Sequence, residues 1–324
     1  MNAAATHKQS SNRLLFQALT PPTVSRYTDI YYSGELRRRI SSAYRRLRSC
    51  DLCPHDCGAD RINGKTGKCG ATLLPRVAAV NVHSGEEPPI SGRNGSGTIF
   101  FSGCSLSCSF CQNFPVSQLR HGRDMTTFSL AGRMLKLQRQ GAHNVNFVTP
   151  THYLPQILAV LWLAIPLGFN LPIVWNSSGY EKPDALRLLD GIVAVYLPDM
   201  KYADNETSNR LSRAPEYRDV NRLAAKEMLR QVGHLRLDDE GLAKGGLIIR
   251  HLVLPKSLAS TRDTLDWIAK NLGVETHVSL MRQYFPAHIA SKIPGIDRKI
   301  TIAEYNQAVA CLENSGLENG WLQE

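Results

Sequence analysis

At 324 residues the chain can bury a large core, as one big α/β barrel or two modest domains. With 43% hydrophobic and 20% charged residues it has the composition of an ordinary soluble globular protein, and its eight cysteines are too few for a disulfide scaffold. The net charge of +10 is local: residues 1–50 hold nine Lys and Arg against Asp29 and Glu35, an excess of seven.

Met1 to Gln17 is polar and lacks the apolar core of a secretory signal. Residues 1–30, with Pro21-Pro22, read as a loose arm. From Glu35 the spacing of Leu36, Ile40, Tyr44 and Leu47 predicts a helix that is basic on its other faces. Its default role is a solvated face packed on the main domain. A docking surface for an acidic partner, such as a small electron donor of the flavodoxin or ferredoxin type, is the sharper alternative. A nucleic-acid groove ranks below both, because little aromatic residue is interleaved for base stacking.

A cysteine-rich module follows. Cys50, Cys53, Cys57 and Cys69 supply four thiols with Pro54, Gly58, Gly64 and Gly67 between them, and glycines allow the turns that wrap a chain around a metal. Four closed ligands suit structural zinc or an iron–sulfur cluster equally, with reduced core thiols as the bland alternative. The stretch Gly85 to Gly97 reads as a loop that steers the chain into the first strand. Its Gly92-Arg93-Asn94-Gly95-Ser96-Gly97 precedes a strand instead of linking a strand to a helix, so it is no dinucleotide fingerprint.

The apolar run Thr98 to Ser102 leads into Gly103-Cys104-Ser105-Leu106-Ser107-Cys108-Ser109-Phe110-Cys111-Gln112-Asn113. Three thiolates on one short loop can hold three corners of a [4Fe–4S] cluster and leave the fourth iron open to a small molecule. Zinc sites favour paired knuckles, and a disulfide with an odd thiol needs an oxidising compartment. Clustered cysteines of this kind point to metal chemistry in a reducing cytoplasm; Cys311 stands alone.

Beyond this loop, strands are predicted at Thr98–Ser102, Val145–Val148, Ile173–Trp175, Ile192–Leu197, Leu247–Val253 and Thr276–Leu280. Helices are predicted near Ser129–Gln140, Leu154–Ile165, Pro183–Leu189, Val220–His234 and Thr261–Leu272. A last helix, Ile302–Asn314, starts at a capping box of Thr301 and Glu304. The apolar run Ile157 to Phe169 is too short to span a bilayer and contains Pro166, so no membrane association is expected. Alternating strands and helices predict a parallel sheet.

The C-x3-C-x2-C loop resembles the signature of the radical S-adenosylmethionine (radical SAM) enzymes. The resemblance implies that the methionine part of the cofactor chelates the open iron, beside Phe110 and Asn113. It also implies an open partial (β/α)6 TIM-type barrel with functional residues at the C-terminal strand ends. Those ends carry Thr149, Thr151 and His152 after the second strand, and Asn176 and Ser178 after the third. Asp199 and Lys201 follow the fourth strand and resemble the Asp-x-Lys step of glycyl-radical activating enzymes. Arg250 in the fifth begins a run similar to their Arg-x-x-Val-x-Pro element. All are read as cofactor-binding.

The turn after the second strand lacks the acid that the family usually places there, and Gln112 stands where a His often follows the last Cys. From Cys50 to about residue 290 the pattern is similar to the pyruvate formate-lyase activating enzyme-like proteins.

The organisation expected is an arm and basic helix over 1–49, a four-cysteine metal-binding module and loop over 50–97, and a radical SAM partial barrel with its C-terminal helix over 98–324. The resemblance implies a cytoplasmic enzyme that cleaves S-adenosylmethionine to a 5′-deoxyadenosyl radical and abstracts a hydrogen, with a glycine of a partner enzyme as one source. Radical modification of a tRNA or peptide, and a non-enzymatic metal-binding adaptor, are the alternatives.

Overall fold

The structure is a computed structural model that describes residues 26–323. Most of the expected arm lies outside the described residues. Two helices open the fold, α1 (Arg26–Tyr32) and α2 (Glu35–Arg45). Leu36 and Ala43 of α2 are fully buried, while Arg37, Arg38 and Arg45 face solvent. The basic helix is therefore amphipathic and packed, as its spacing requires. Residues 50–75 then run without a regular element.

The chain continues through β1 (Arg76–His83), α3 (Pro88–Ser91), β2 (Ser96–Phe101), α4 (Phe114–Ser117), β3 (Arg123–Asp124), α5 (Thr127–Arg139) and β4 (Val145–Val148). Next come α6 (Leu154–Ala164), β5 (Ile173–Ser177), α7 (Pro183–Leu186), β6 (Val195–Pro198), α8 (Asn205–Ser212), α9 (Tyr217–Val232), β7 (Arg236–Leu237) and β8 (Ala243–Leu252). The last elements are α10 (Thr261–Leu272), β9 (His277–Met281), α11 (Ile302–Asn314) and β10 (Asn319–Gln323).

The strands form one sheet in the order β10-β9-β8-β6-β5-β4-β2-β1-β3, with β7 paired to β8. From β2 to β10 along this row every neighbouring pair is parallel, while β1 pairs antiparallel with β2 and with β3. The sheet stays open, with β10 at one end and β3 at the other. This is the expected partial α/β barrel. It is extended by a parallel strand, β10, that the sequence pattern did not reveal.

Alternation along the strands sorts the two faces. Ile173 and Trp175 of β5 and Tyr196 of β6 join Leu158 and Leu161 of α6 and Met228 of α9 in the main core beneath the helices. Val174, Val195, Leu197 and Ile248 point the other way and pack around Ile90 of α3. The loop containing Glu86 and Glu87 thus enters the inner face of the barrel. No helix among the described residues is long and apolar enough to cross a membrane.

Candidate functional site

The three-cysteine loop leaves β2 at its carboxyl end. Gly103 has φ of +86°, and a side chain there would run into the carbonyl of Cys69, so the two cysteine groups touch at this point. All eight cysteines are free. Each sulfur of the loop has a hydrogen-bonding group aimed at it. The Leu106 N–H reaches Cys104 Sγ at 3.3 Å, the Ser212 hydroxyl donates to Cys108 Sγ at 3.0 Å, and the Ser117 hydroxyl lies 3.2 Å from Cys111 Sγ. Such donors suit thiolate acceptors.

Burial pushes the Cys104 thiol far up, and the neighbouring sulfurs add to it. Burial also raises Cys108, to about 11, against the pull of the Lys201 charge. Cationic iron reverses that cost by binding the thiolate form.

Among the described residues no three His, Cys, Asp or Glu side chains converge to hold a single metal ion. A polynuclear cluster takes one thiolate per iron and does not need such convergence. The free loop thiols, each facing a hydrogen-bonding group, fit three corners of a cluster.

Beside the loop stands a charged triad. Arg250 Nε donates to Asp199 Oδ1 at 2.8 Å, Lys201 Nζ donates to Asp199 Oδ2 at 2.6 Å, and Arg250 Nη2 reaches Asn176 Oδ1 at 2.7 Å. Burial pushes Asp199 up, but the Arg250 and Lys201 charges outweigh it and hold its carboxyl below the usual range. Tyr217 buttresses the step: its hydroxyl donates toward the Ser178 and Asp199 carbonyls and accepts from the Lys201 N–H. Asn176, Ser178, Asp199, Lys201 and Arg250 are thus brought together, with Lys201 near enough to Cys108 to pull on its proton.

Other expected site residues take different positions. Phe110 is buried edge-on against Tyr284, at 5.6 Å between ring centres, in a small core with Leu106, Tyr180 and Tyr202. Asn113 is exposed, and its carbonyl accepts from Val116 and Ser117 at the start of α4. Thr149 keeps its place at the end of β4, held at φ of +57°. That is a strained angle for a β-branched residue and a mark of a constrained site.

Thr151 and His152 face away from the triad. The Thr151 hydroxyl donates to Glu181 Oε1 at 2.9 Å. Glu181 also accepts from Trp175 Nε1 and Ser177 Oγ. His152 is buried behind the cysteine loop, with Nε2 on the Ser102 carbonyl at 2.9 Å. Burial lowers it to about 3, so the ring is neutral. Sequence position locates the strand end but not the direction in which a side chain leaves it.

Acidic groups missing from the β4 turn enter from elsewhere. Asn176 Nδ2 lies 3.4 Å from Glu86 Oε2, and the Glu87 and Glu86 charges both help to raise Arg250. Glu87 is 2% exposed with Oε2 unpartnered. The signal for these residues was the paired acids just before Pro88-Pro89, inside a stretch read only as a connecting loop.

The four upstream cysteines also gather. Cys53 feels the charges of Cys69, Cys50 and Cys57, and a Cβ on Gly67 would overlap the Cys57 sulfur. The module is joined to the first loop by His55 Nε2, which donates to the Ser105 carbonyl at 2.7 Å.

No family model matches the chain. Two solved structures are similar at low identity. SuiB of Streptococcus suis, bound to precursor peptide SuiA, has 14% identity and a TM-score of 0.48, over 68% of this chain and 46% of that one. The chain thus spans less than half of SuiB. The FeFe-hydrogenase maturase HydG from Carboxydothermus hydrogenoformans has 13% identity and a TM-score of 0.48, over 92% of this chain and 68% of that one. Uncharacterized protein MJ0674 of Methanocaldococcus jannaschii is 32% identical over an alignment 290 residues long that covers 86% of this chain and 79% of that protein. The chain belongs to the same protein family as this archaeal protein.

Proposed function

We propose that this chain is a radical SAM enzyme, with Cys104, Cys108 and Cys111 holding a [4Fe–4S] cluster. Three free sulfurs, each facing a hydrogen-bonding group, on the loop after the first parallel strand carry this reading. A cluster held by these residues would supply the one electron that splits S-adenosylmethionine into methionine and a 5′-deoxyadenosyl radical.

The protein's part is to bind, orient and exclude water. Lys201 and Arg250 offer cationic donors to a carboxylate, and Asp199 keeps both in place. Glu86, on the far side of Asn176, offers an acid to an ammonium group. Its side chain is 8% exposed, which shields that interaction from bulk water.

The finer reading is that the hydrogen comes from a glycine of a partner enzyme. It is supported by the resemblance of Asp199-Met200-Lys201 and of Arg250 to Pro255 to activating-enzyme elements. The open sheet suits a polypeptide loop. We also read Cys50, Cys53, Cys57 and Cys69 as a second metal site. Exposed Arg37, Arg38, Arg45 and Arg48 nearby form a docking face for a small acidic electron donor.

Anaerobic protein loaded with about four irons on the first loop and reduced with dithionite tests the site. Adding S-adenosylmethionine should change the electron paramagnetic resonance signal of the reduced cluster. An unchanged signal at saturating cofactor contradicts an open iron.

A further inference from the structure

Arg61 is a guanidinium with 1% exposure, and among the described residues no carboxylate pairs with it. Its Nη1 donates to the His152 carbonyl at 2.7 Å and its Nη2 to the Thr72 carbonyl at 2.9 Å. The Nε atom has no partner, and Nη1 lies 3.9 Å from Cys50 Sγ. Tyr153 presents its ring at 5.6 Å, and Tyr44 and Cys69 feel the charge. A guanidinium stays protonated, and a buried charge without a counter-charge is costly.

We propose that Cys50, Cys53, Cys57 and Cys69, which do not converge on a single ion, hold an iron–sulfur cluster of net negative charge, and that Arg61 is the buried counter-charge positioned to stabilise it. The proposal rests on reading the four cysteines as a metal site, as above. Four thiolates around a [4Fe–4S] core of charge +2 leave a net charge of about −2. Arg61 partly neutralises it.

The same guanidinium ties the centre to the first cysteine loop. Arg61 holds the His152 carbonyl, His152 holds the Ser102 carbonyl, and Gly103 rests on the Cys69 carbonyl. A change of charge at the four cysteines is thereby felt by the backbone that carries Cys104.

The test uses the full chain with Cys104, Cys108 and Cys111 changed to Ala, so that bound metal reports the upstream site. This parent is offered iron and sulfide without oxygen, and zinc alone in a separate sample. It should retain about four irons, with the broad visible absorption of a cluster; retention of zinc in place of iron would overturn the proposal. Adding Arg61→Gln should speed metal loss to a chelator at least tenfold, with Arg61→Lys between the two. Metal should raise the melting temperature less in the R61Q protein than in the parent. Metal-free R61Q should melt no lower than the metal-free parent, because an uncompensated charge has gone.

An unchanged release rate would overturn the proposal. So would an equal drop in melting temperature with and without metal, the outcome if Arg61 served only as a hydrogen-bond strut. A parent that takes up no cluster would also sink it. Formation of 5′-deoxyadenosine by the chain with its first loop intact decides the enzyme reading separately.

Discussion

Asp199 and Arg250 meet at the carboxyl ends of neighbouring strands β6 and β8, where their backbones form a parallel bridge and Arg250 Nε donates to Asp199 Oδ1 at 2.8 Å. Because Lys201 takes the other oxygen, one carboxylate restrains two cations beside the cysteine loop. Asp199→Asn should leave Lys201 without its ion pair and Arg250 with only the charges of Glu87 and Glu86. A loss of about 3–5 kcal/mol is expected, read by chemical denaturation, together with weaker binding of S-adenosylmethionine. Unchanged stability would show that water already screens the triad.

Gly103 is the contact between the two cysteine groups. Gly103→Ala should cost at least about 1–2 kcal/mol from the left-handed backbone alone, and more because the new Cβ meets the Cys69 carbonyl. Iron content at the first loop should fall with the melting temperature. Full iron loading at an unchanged melting temperature would show that the two groups are not coupled there.

Thr149 holds a left-handed backbone at the end of β4. Removing its side chain relieves strain only if the Cβ goes as well. Thr149→Gly should therefore be more stable than Thr149→Ala by about 1 kcal/mol, measured by denaturation of the two variants side by side. The reverse order would contradict the strain.

Two buried histidines predict an acid-sensitive fold. Burial lowers His152 to about 3 and His251 to about 4 from 6.5, so both stay neutral where the unfolded chain protonates. Their stabilisation is fully present above about pH 6.5 and is lost as pH falls toward the folded values, by about 1.4 kcal/mol per pH unit for each. Denaturation at pH 7, 6 and 5 should show this slope, and His251→Gln should make it shallower. An equal slope in both proteins would contradict the assignment.

Much of this architecture is legible in the chain because local signals agree with the global fold. Val145–Val148 reads as a strand from its two valines and Phe147, and the capping box of Thr301 and Glu304 marks the start of α11 as observed. The strand β10 is not legible. Its Asn319-Gly-Trp-Leu-Gln has weak strand character and is held by pairing with β9.

The site divides in the same way. Cysteine spacing and the Asp199, Lys201 and Arg250 positions follow from strand ends. The outward turn of Thr151 and the burial of His152 depend on Glu181 and Ser102, partners that only the packed chain brings near. Arg61 gives no signal at all in sequence, since a lone arginine is ordinarily a surface residue.

The central claim is that the first cysteine loop carries radical chemistry. The chain is reconstituted without oxygen, reduced with dithionite and incubated with S-adenosylmethionine, and 5′-deoxyadenosine is measured by mass. 5′-Deoxyadenosine is expected from the unaltered protein and none from Cys108→Ala. Protein with its full iron content that forms no 5′-deoxyadenosine would contradict that claim.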